Sequence, residues 1–173
     1  MGIYARAPQS KFKPAPEGLH QGVCCDIWEP WTETSPFHGG LVDKTRIVWQ
    51  IAEQDAEHGQ PFEVSQIYTL SLHEKAKLCQ HLESWRGRKF TEAEKREFDL
   101  EVLLGVNCQV QVVHVIKDDG RVFANVQAIV PLGKGQTKLR VAGDFVRRKD
   151  RKDSASVSDG TGPVDQNDDD VPF

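Results

Sequence analysis

The sequence predicts a mainly β fold in which helices interrupt a small barrel of five strands. Two observations carry this prediction. Five short apolar stretches are each bounded by turn residues, and the hydrophobic period changes from 2 to 3.6 between the third and the fourth of them. The chain has 173 residues, of which 38% are hydrophobic and 28% are charged, so we expect one domain with polar extensions.

The first three strands are predicted at residues 22–27, 45–51 and 62–70. The second strand alternates clearly, with Ile47, Trp49 and Ile51 on one face. The segment before it, residues 28–44, is rich in Pro, Gly, Ser and Thr and forms either a long loop or a strand with a wide excursion. The connections are too short for crossover helices, so we expect these strands to be antiparallel.

A helix is predicted between the third and the fourth strand. Ser71 followed by Glu74 has the spacing of a capping box, which predicts that the helix begins there, and Gly87 is placed to end it. Between these signals the apolar residues fall on one helical stripe, formed by Leu72, Ala76, Cys79, Leu82 and Trp85.

A second capping signal and a hairpin complete the predicted domain. Thr91 with Glu94 predicts a short helix that runs to about Phe98. Strands at 108–116 and 121–130 follow, and the Asp-Gly pair between them supplies the positive φ values of a tight hairpin turn. In the strand at 121–130 the apolar row is formed by Val122, Ala124, Val126 and Ala128.

The order of these elements indicates the architecture. Three strands, a helical insertion and a two-stranded hairpin form the order of an OB-fold, a small Greek-key barrel. The alternative is an open α+β sheet that carries its helices on one face.

Several classes of function are not indicated. The sequence has no Gly-rich phosphate loop, no H-E-x-x-H helix and no G-x-S-x-G elbow, so we predict neither an enzyme nor a cofactor. Its four cysteines lack C-x-x-C spacing, and we expect them to be reduced and mostly buried. No apolar run is long enough to span a membrane, and the first residues lack an apolar leader. We therefore expect a cytoplasmic protein that binds no membrane.

Charge divides the chain further. We expect a flexible arm at residues 1–16, an OB-like domain at 17–139, a basic hinge at 140–153 and a disordered acidic tail at 154–173. The hinge contains six basic and three acidic residues, whereas the tail contains five Asp and no base. Such a split of charge suggests nucleic acid as a partner, or a tail that competes with it.

The tail ends in a compact motif that suits docking to a protein. Phe173 can fill an apolar pocket while neighbouring carboxylates pair with Arg or Lys at its rim. The residues of this motif are Asp168, Asp169, Asp170, Val171, Pro172 and Phe173. The motif resembles the tip of bacterial single-stranded-DNA-binding proteins, and this resemblance implies recruitment of replication, recombination and repair proteins.

The body of the chain resembles a different family. Residues 67–75, 82–91 and 131–135 are similar to small proteins of bacteriophage replication modules, and the similarity extends over about 22–135. It implies a phage-type single-strand binder in the cytoplasm of a host cell. The body does not resemble the bacterial binding proteins, so only the tip carries over from them.

Candidate DNA contacts follow from physical chemistry. Binding to single strands needs cations for the phosphates and exposed aromatic rings for the bases, and OB-folds use the face of their second and third strands with two adjoining loops. Trp49, Tyr68 and Trp85 fall on apolar stripes and are expected in the core, whereas Trp28 and Trp31 could contact bases or cover one end of the barrel. The predicted contacts are Trp28, Trp31, Phe37, Lys44, Arg46, Gln50, Lys117, Arg121, Phe123, Asn125 and Gln127.

These observations favour a non-catalytic, sequence-independent single-stranded-DNA-binding protein for DNA replication, recombination and repair. One alternative is an interaction adaptor that mimics the tail of a host protein without binding DNA strongly. Another is a DNA-processing enzyme without a recognisable motif. The sequence predicts no oligomeric state.

Overall fold

The computed structural model describes residues 13–151, whose six strands belong to one mixed sheet. The strands are β1 (Gly18–Ile27), β2 (Trp31–Thr34), β3 (Leu41–Asp55), β4 (Gln60–Thr69), β5 (Asn107–Ile116) and β6 (Val122–Val130). Between β4 and β5 lie α1 (Lys77–Arg86), α2 (Glu92–Arg96) and a 3₁₀ helix, Leu100–Leu103. None of the helices in the described part of the chain has the length and apolar character needed to cross a membrane.

Five of the strands close into a barrel. β1 pairs with both β3 and β5, β3 pairs with β4, and β5 pairs with β6, all antiparallel. A parallel pairing of Ser65 with Asn125 joins β4 to β6 and closes the ring, while β2 is added to the edge of β3. The mainly β prediction is confirmed, and the barrel with its helices between the third and fourth barrel strands is consistent with an OB-like fold. Because these five strands form a closed ring, the alternative prediction of an open α+β sheet is excluded.

The core contains the aromatic residues that the hydrophobic pattern predicted there. Trp49, Tyr68 and Trp85 are each at most 2% exposed, and the rings of Trp49 and Trp85 lie 5.9 Å apart. The indole of Trp85 donates a hydrogen bond of 3.0 Å to the carbonyl of Asn107, which ties α1 to β5. All four cysteines are free and buried, as expected.

The start of the first helix was predicted wrongly. α1 begins at Lys77, and its N-cap residue, Ala76, makes no side-chain capping bond. Ser71 Oγ instead accepts a hydrogen bond of 3.2 Å from the His73 backbone, and His73 Nδ1 accepts one of 3.2 Å from the Lys75 backbone. Local bonds of this kind satisfy the backbone in turns and compete with helix formation, so the capping spacing alone was not sufficient.

The other helix signals are confirmed. Gly87 ends α1 with a φ of 72°, and its N–H donates to the carbonyl of Glu83 at 2.9 Å. Thr91 and Glu94 form a reciprocal capping box at the start of α2. This helix is shorter than predicted, because the backbone is already extended at Glu97.

Two details of the strands differ from the prediction. Between β5 and β6 only Gly120 has a positive φ, so Asp119 does not share the positive φ values that the Asp-Gly pair predicted. The Lys117 N–H donates to the carbonyl of Arg121 at 2.8 Å, so the turn itself consists of residues 118–120. A bulge opposite residues 111–112 then changes the phase of β6, so that Ile129 is buried in place of Ala128. Residues 28–44, for which either a long loop or a strand with a wide excursion was predicted, form the second of these, since β2 pairs with the start of β3 as a hairpin.

Both ends of the described chain lie against the barrel. Ala15, within the expected arm, is 2% exposed, and its carbonyl oxygen accepts a hydrogen bond of 2.6 Å from His114 Nε2. We call residues 136–151 the strap, since they run along the barrel wall. Their backbone bonds to the side chains of Gln21, Asn107 and Gln50. The expected hinge therefore includes a stretch that is attached to the barrel, whereas residues 1–12 and 152–173, with the expected tail, lie outside the described residues.

Candidate nucleic-acid interface

One face of β3, β4 and β6 brings together three of the predicted contact residues, Arg46, Asn125 and Gln127. Thr45 and Ile47 are buried, so strand alternation directs Arg46 outward. Arg46 Nη1 reaches Ser65 Oγ on β4 at 3.4 Å, and Ser65 pairs with Asn125 on β6. Asn125 is exposed, as is Gln127 beyond it. These residues form a continuous polar surface across three strands, which we call the outer face.

A first aromatic–cation cluster lies at the end of the outer face where β1 leaves the barrel. The guanidinium carbons of Arg46 and Arg148 lie 4.5 Å and 3.9 Å from the ring centroid of Trp28, within the range of cation–π attraction. The ring of Trp31 lies 6.4 Å from that of Trp28. Both indoles are half-buried, so they combine a contact with the barrel and a surface that solvent reaches.

The electrostatics of this cluster are unusual, because two cations share one ring. Burial lowers the pKa of Arg46, and the nearby charge of Arg148 lowers it further. Arg46 Nε is buried without a hydrogen-bond partner among the described residues. Among the described residues, the cluster therefore has a buried N–H donor without an acceptor and two guanidiniums without a carboxylate partner.

The hairpin of β2 and β3 carries three more predicted contacts. Trp31 pairs in register with Lys44, and both side chains bind Glu33, through the indole N–H at 3.1 Å and through an ion pair with the lysine. That ion pair lowers the pKa of Glu33. Phe37 lies at the tip of the hairpin and is 95% exposed. The hairpin thus presents aromatic rings beside a cation that is partly neutralised.

A second aromatic–cation cluster lies at the β5–β6 loop. Lys117 Nζ and the guanidinium carbon of Arg121 lie 5.7 Å and 5.5 Å from the ring centroid of Phe123. The backbone N–H of Arg121 donates to Asp119 at 3.0 Å and its guanidinium pairs with the same carboxylate at 2.5 Å; the backbone hydrogen bond and then the side-chain contact lower the pKa of that carboxyl. By the register, Phe123 and Arg46 are separated by about 15 Å, which is four residues along the strands and two strand spacings.

Gln50 is the predicted contact that does not join this surface. It is 4% exposed, and its side-chain oxygen accepts a hydrogen bond of 2.8 Å from the backbone N–H of Ala142 in the strap. In this arrangement the strap occupies the position that a ligand of Gln50 would take.

The strap also supplies residues that the sequence prediction missed. Arg148 contacts Trp28, while Phe145 and Arg151 form one wall of a cavity of about 220 Å³ on the outer face. Opposite them the cavity is lined by residues that include Trp28, Arg46 and Ser65. The cations at 147–152 were a visible signal, but nothing in their spacing indicated that they pack against the barrel.

One ion-pair network holds the strap in place. Arg147 donates hydrogen bonds to Asp26, to both oxygens of Glu101 and to the carbonyl of Ile27. These contacts raise the pKa of Arg147 and lower that of Glu101. The residue after Arg147 in the chain is Arg148, so the network determines where the second cation of the Trp28 cluster lies.

A separate acidic group lies in the turn between β3 and β4. Ligand atoms of Asp55, Glu57 and His58 lie within 4.8 Å of one another. Asp55 accepts hydrogen bonds from the Glu57 backbone at 3.0 Å and from His58 Nδ1 at 2.6 Å. These hydrogen bonds hold the turn together and explain why the three residues lie close to one another, so we assign no metal to them.

No protein-family model matches this chain, and no curated protein matches it. What the outer face can bind must therefore be inferred from its own chemistry. That chemistry consists of two aromatic–cation clusters, exposed amides between them and a cavity beneath the strap.

Proposed function

We propose that this chain is a non-catalytic single-stranded-DNA-binding protein of the phage replication type, which holds its ligand on the outer face without sequence preference. The observation that carries the proposal is the pair of aromatic–cation clusters, one around Trp28 and one around Phe123, at the two ends of one barrel face. An OB-like barrel would use this face and these two loops for an oligonucleotide.

The clusters match the chemistry of a single strand. Each base has a π-face that stacks on an aromatic ring, and each stacked base contributes about 1–3 kcal/mol. The cations beside the rings would contact the phosphates between the bases. The exposed amides of Asn125 and Gln127 lie along the path between the clusters and can hydrogen-bond to base edges of any sequence.

A duplex suits this face less well. Reading a major groove requires a helix or a two-stranded ribbon that enters it. The buried side of α1 packs into the barrel core through Leu78, Leu82 and Trp85, and α2 has only five residues. Neither helix is therefore placed to enter a major groove, and we expect preference for single strands because unpaired bases expose the faces that stack on the aromatic rings.

The acidic tip belongs to the same proposal, on the strength of the sequence alone. Asp168, Asp169, Asp170, Val171, Pro172 and Phe173 would dock replication and recombination proteins while the barrel holds DNA. In this role the protein coats single strands and brings processing proteins to them.

The direct test is a titration of labelled oligo-dT and of a duplex of equal length, at low and at near-physiological salt. We expect tighter binding to oligo-dT, with an affinity that falls with salt at a slope of about −0.7 per phosphate contact. Lys117→Ala should weaken binding, and Lys75→Ala, which removes an exposed lysine in the turn before α1, is the matched control. Equal affinity for the two ligands at both salt concentrations would contradict the proposal.

A protein-interaction adaptor is the second candidate, and the β2–β3 hairpin favours it. Phe37 and Leu41 are 95% and 75% exposed, and among residues 13–151 β2 pairs with β3 alone. An unpaired edge beside exposed apolar side chains can accept a strand from another protein. If oligonucleotides fail to bind while Phe37→Ser abolishes binding to a replication protein, the adaptor function replaces DNA binding.

A further inference from the structure

We propose that Arg46 and Arg148, with the hydroxyl of Ser65, form a binding centre for one phosphate of a nucleic-acid backbone beside the ring of Trp28. This inference deepens the proposed function and rests on it. It adds to the site a residue of the strap, Arg148, which belongs neither to the barrel strands nor to the loops that OB-like barrels usually employ.

The first argument is the balance of charge. Neither Arg46 nor Arg148 forms an ion pair with a carboxylate among residues 13–151, although both lie against the same indole. The attraction of a ring for a cation partly offsets the repulsion between the two guanidiniums but does not remove it. An anion within reach of both guanidiniums would offset it, because it attracts both.

The second argument is the supply of hydrogen-bond donors. A guanidinium has five N–H donors in a planar fork that matches the oxygens of a phosphate. Arg46 uses one of them, at 3.4 Å to Ser65 Oγ, and its Nε is buried without a partner within the described part of the chain. A phosphate oxygen is a stronger acceptor than the serine hydroxyl, so it would satisfy donors that the free protein leaves unused.

The third argument is that the second cation is held in position. The buried carboxylate of Asp26 accepts a hydrogen bond of 3.1 Å from Arg147 Nε and one of 2.8 Å from the backbone N–H of Arg148. Both oxygens of Asp26 thus fix the strap directly at the residue that contacts Trp28. A cation that is already ordered loses little conformational entropy on binding.

The surroundings favour a nucleotide phosphate over a carboxylate of a protein. The cavity of about 220 Å³ adjoins both Trp28 and Arg46. Its lining also includes the apolar residues Val48 and Phe145 and the acidic residues Asp26, which is paired with Arg147, and Glu63. A phosphodiester carries a flat base within reach of such a cavity, whereas an Asp or Glu side chain has no group to fill it. The ligand class that uses both the cations and the cavity is therefore a nucleic-acid strand.

The matched pair of variants is Arg148→Ala and Lys149→Ala. Both remove one positive charge from adjacent positions of the strap, but only Arg148 contacts Trp28. We expect Arg148→Ala to weaken oligo-dT binding about tenfold, as for one charged hydrogen bond, and to reduce the salt slope by about 0.7. Lys149→Ala should change the affinity less than twofold. Equal losses in the two variants would overturn the proposal, since they would mean that only the overall charge of the strap matters.

A second measurement separates this inference from the proposed function. The Nε–H signals of Arg46 and Arg148 are followed by NMR during titration with thymidine 3′,5′-bisphosphate and, separately, with inorganic phosphate and a peptide of glutamates. Joint shifts of both signals with the bisphosphate in the wild type and in Lys149→Ala, together with loss of the Arg46 shift in Arg148→Ala, support the phosphate centre even if long oligonucleotides fail to bind. Stronger shifts with the peptide, or equal shifts with inorganic phosphate, would overturn the nucleotide assignment. Thermal unfolding of each variant confirms that the fold is retained.

Discussion

Arg147 donates a hydrogen bond of 3.1 Å from its Nε to the carboxylate of Asp26 and so joins the strap to β1 across 121 residues of chain. Asp26 lies beside an irregularity in the pairing of β1 with β3, and it is 2% exposed. A charge at such a position needs a partner, because leaving it unpaired away from water is costly. The strap is therefore a structural part of the barrel and not an appendage.

Arg147→Ala should lower the free energy of unfolding by about 3 kcal/mol, because it leaves the carboxylate of Asp26 buried without its cation. Glu101→Gln removes the more exposed partner of the same arginine and should cost less than about 1 kcal/mol. Chemical denaturation of the two variants and the wild type measures both values. Equal effects would show that Asp26 does not depend on Arg147.

Removal of either of two aromatic rings should weaken binding without unfolding the protein. Phe123→Ala and Trp31→Ala should each reduce the binding free energy for oligo-dT by about 1–3 kcal/mol, because each ring offers a stacking surface for a base. Fluorescence titration with oligo-dT measures the affinity, and circular dichroism checks the fold. If a variant unfolds while its folded fraction binds normally, that ring belongs to the core.

The free energy of unfolding should decrease as the pH falls from about 6.5 towards 4, because His81 has a lower pKa in the folded chain than in the unfolded chain. Burial, with a smaller contribution from Lys77, lowers the pKa of His81 to about 4 in the folded chain. The unfolded chain, with a histidine pKa of about 6.5, binds the proton more readily in this interval and is favoured there. The loss is on the order of 1 kcal/mol after allowance for solvent screening. Denaturation at pH 7 and pH 5 measures it.

His81→Gln should flatten this pH dependence while it keeps an acceptor for the hydroxyl of Tyr68, which lies 2.7 Å from His81 Nδ1.

His58 changes the stability with pH in the opposite direction. Asp55 raises the pKa of His58, so its contribution is present at low pH and is lost as the pH rises through its folded pKa. The same measurements in a His58→Gln background therefore isolate His81. An unchanged slope in His81→Gln would refute the assignment.

The acidic tail should compete with DNA for the cations of the strap and the outer face. Deletion of residues 165–173 removes four of the five Asp residues of the tail and should tighten binding to oligo-dT at low salt. The gain should fade near physiological salt, where the Debye length is about 8 Å. Titration of the shortened chain at both salt concentrations is the measurement, and a gain that persists at high salt would argue against electrostatic competition.

Phe173→Ala tests the docking role of the tip separately. It removes no charge, so DNA affinity should be nearly unchanged, but it would leave the partner's pocket empty and abolish capture of replication proteins. A pull-down of purified replication proteins with wild-type and variant baits measures this capture. Capture that survives the substitution would make the resemblance of the tip coincidental.

The sequence predicted the barrel well because its strands have clear periods. The alternation around Trp49 and the stripe that holds Leu82 and Trp85 correspond to buried faces. The start of α1 was not predictable from capping spacing, because the side chains of Ser71 and His73 bond to the backbone of the preceding turn. The phase of β6 changes at a bulge, and a bulge has no signature in hydrophobic alternation.

The candidate site was predictable only in part. Arg46 and Phe123 could be identified because aromatic and basic residues on the polar side of a strand are conspicuous in the sequence, and Trp28 because it is a large aromatic residue in a polar connecting segment. The burial of Gln50 and the contact of Arg148 with Trp28 depend on where the strap lies. That path is determined by tertiary contacts with Asp26 and Glu101, which no local pattern encodes.

The long separation between Asp26 and Arg147 has a consequence for folding kinetics. Contacts between residues far apart in the chain form slowly, since the entropy of a large loop must be lost before the contact contributes. We therefore expect the barrel to form first and the strap to attach in a later, slower phase. During synthesis the nascent chain cannot pair Asp26 until residue 147 has left the ribosome, so the barrel reaches its full stability only after that point.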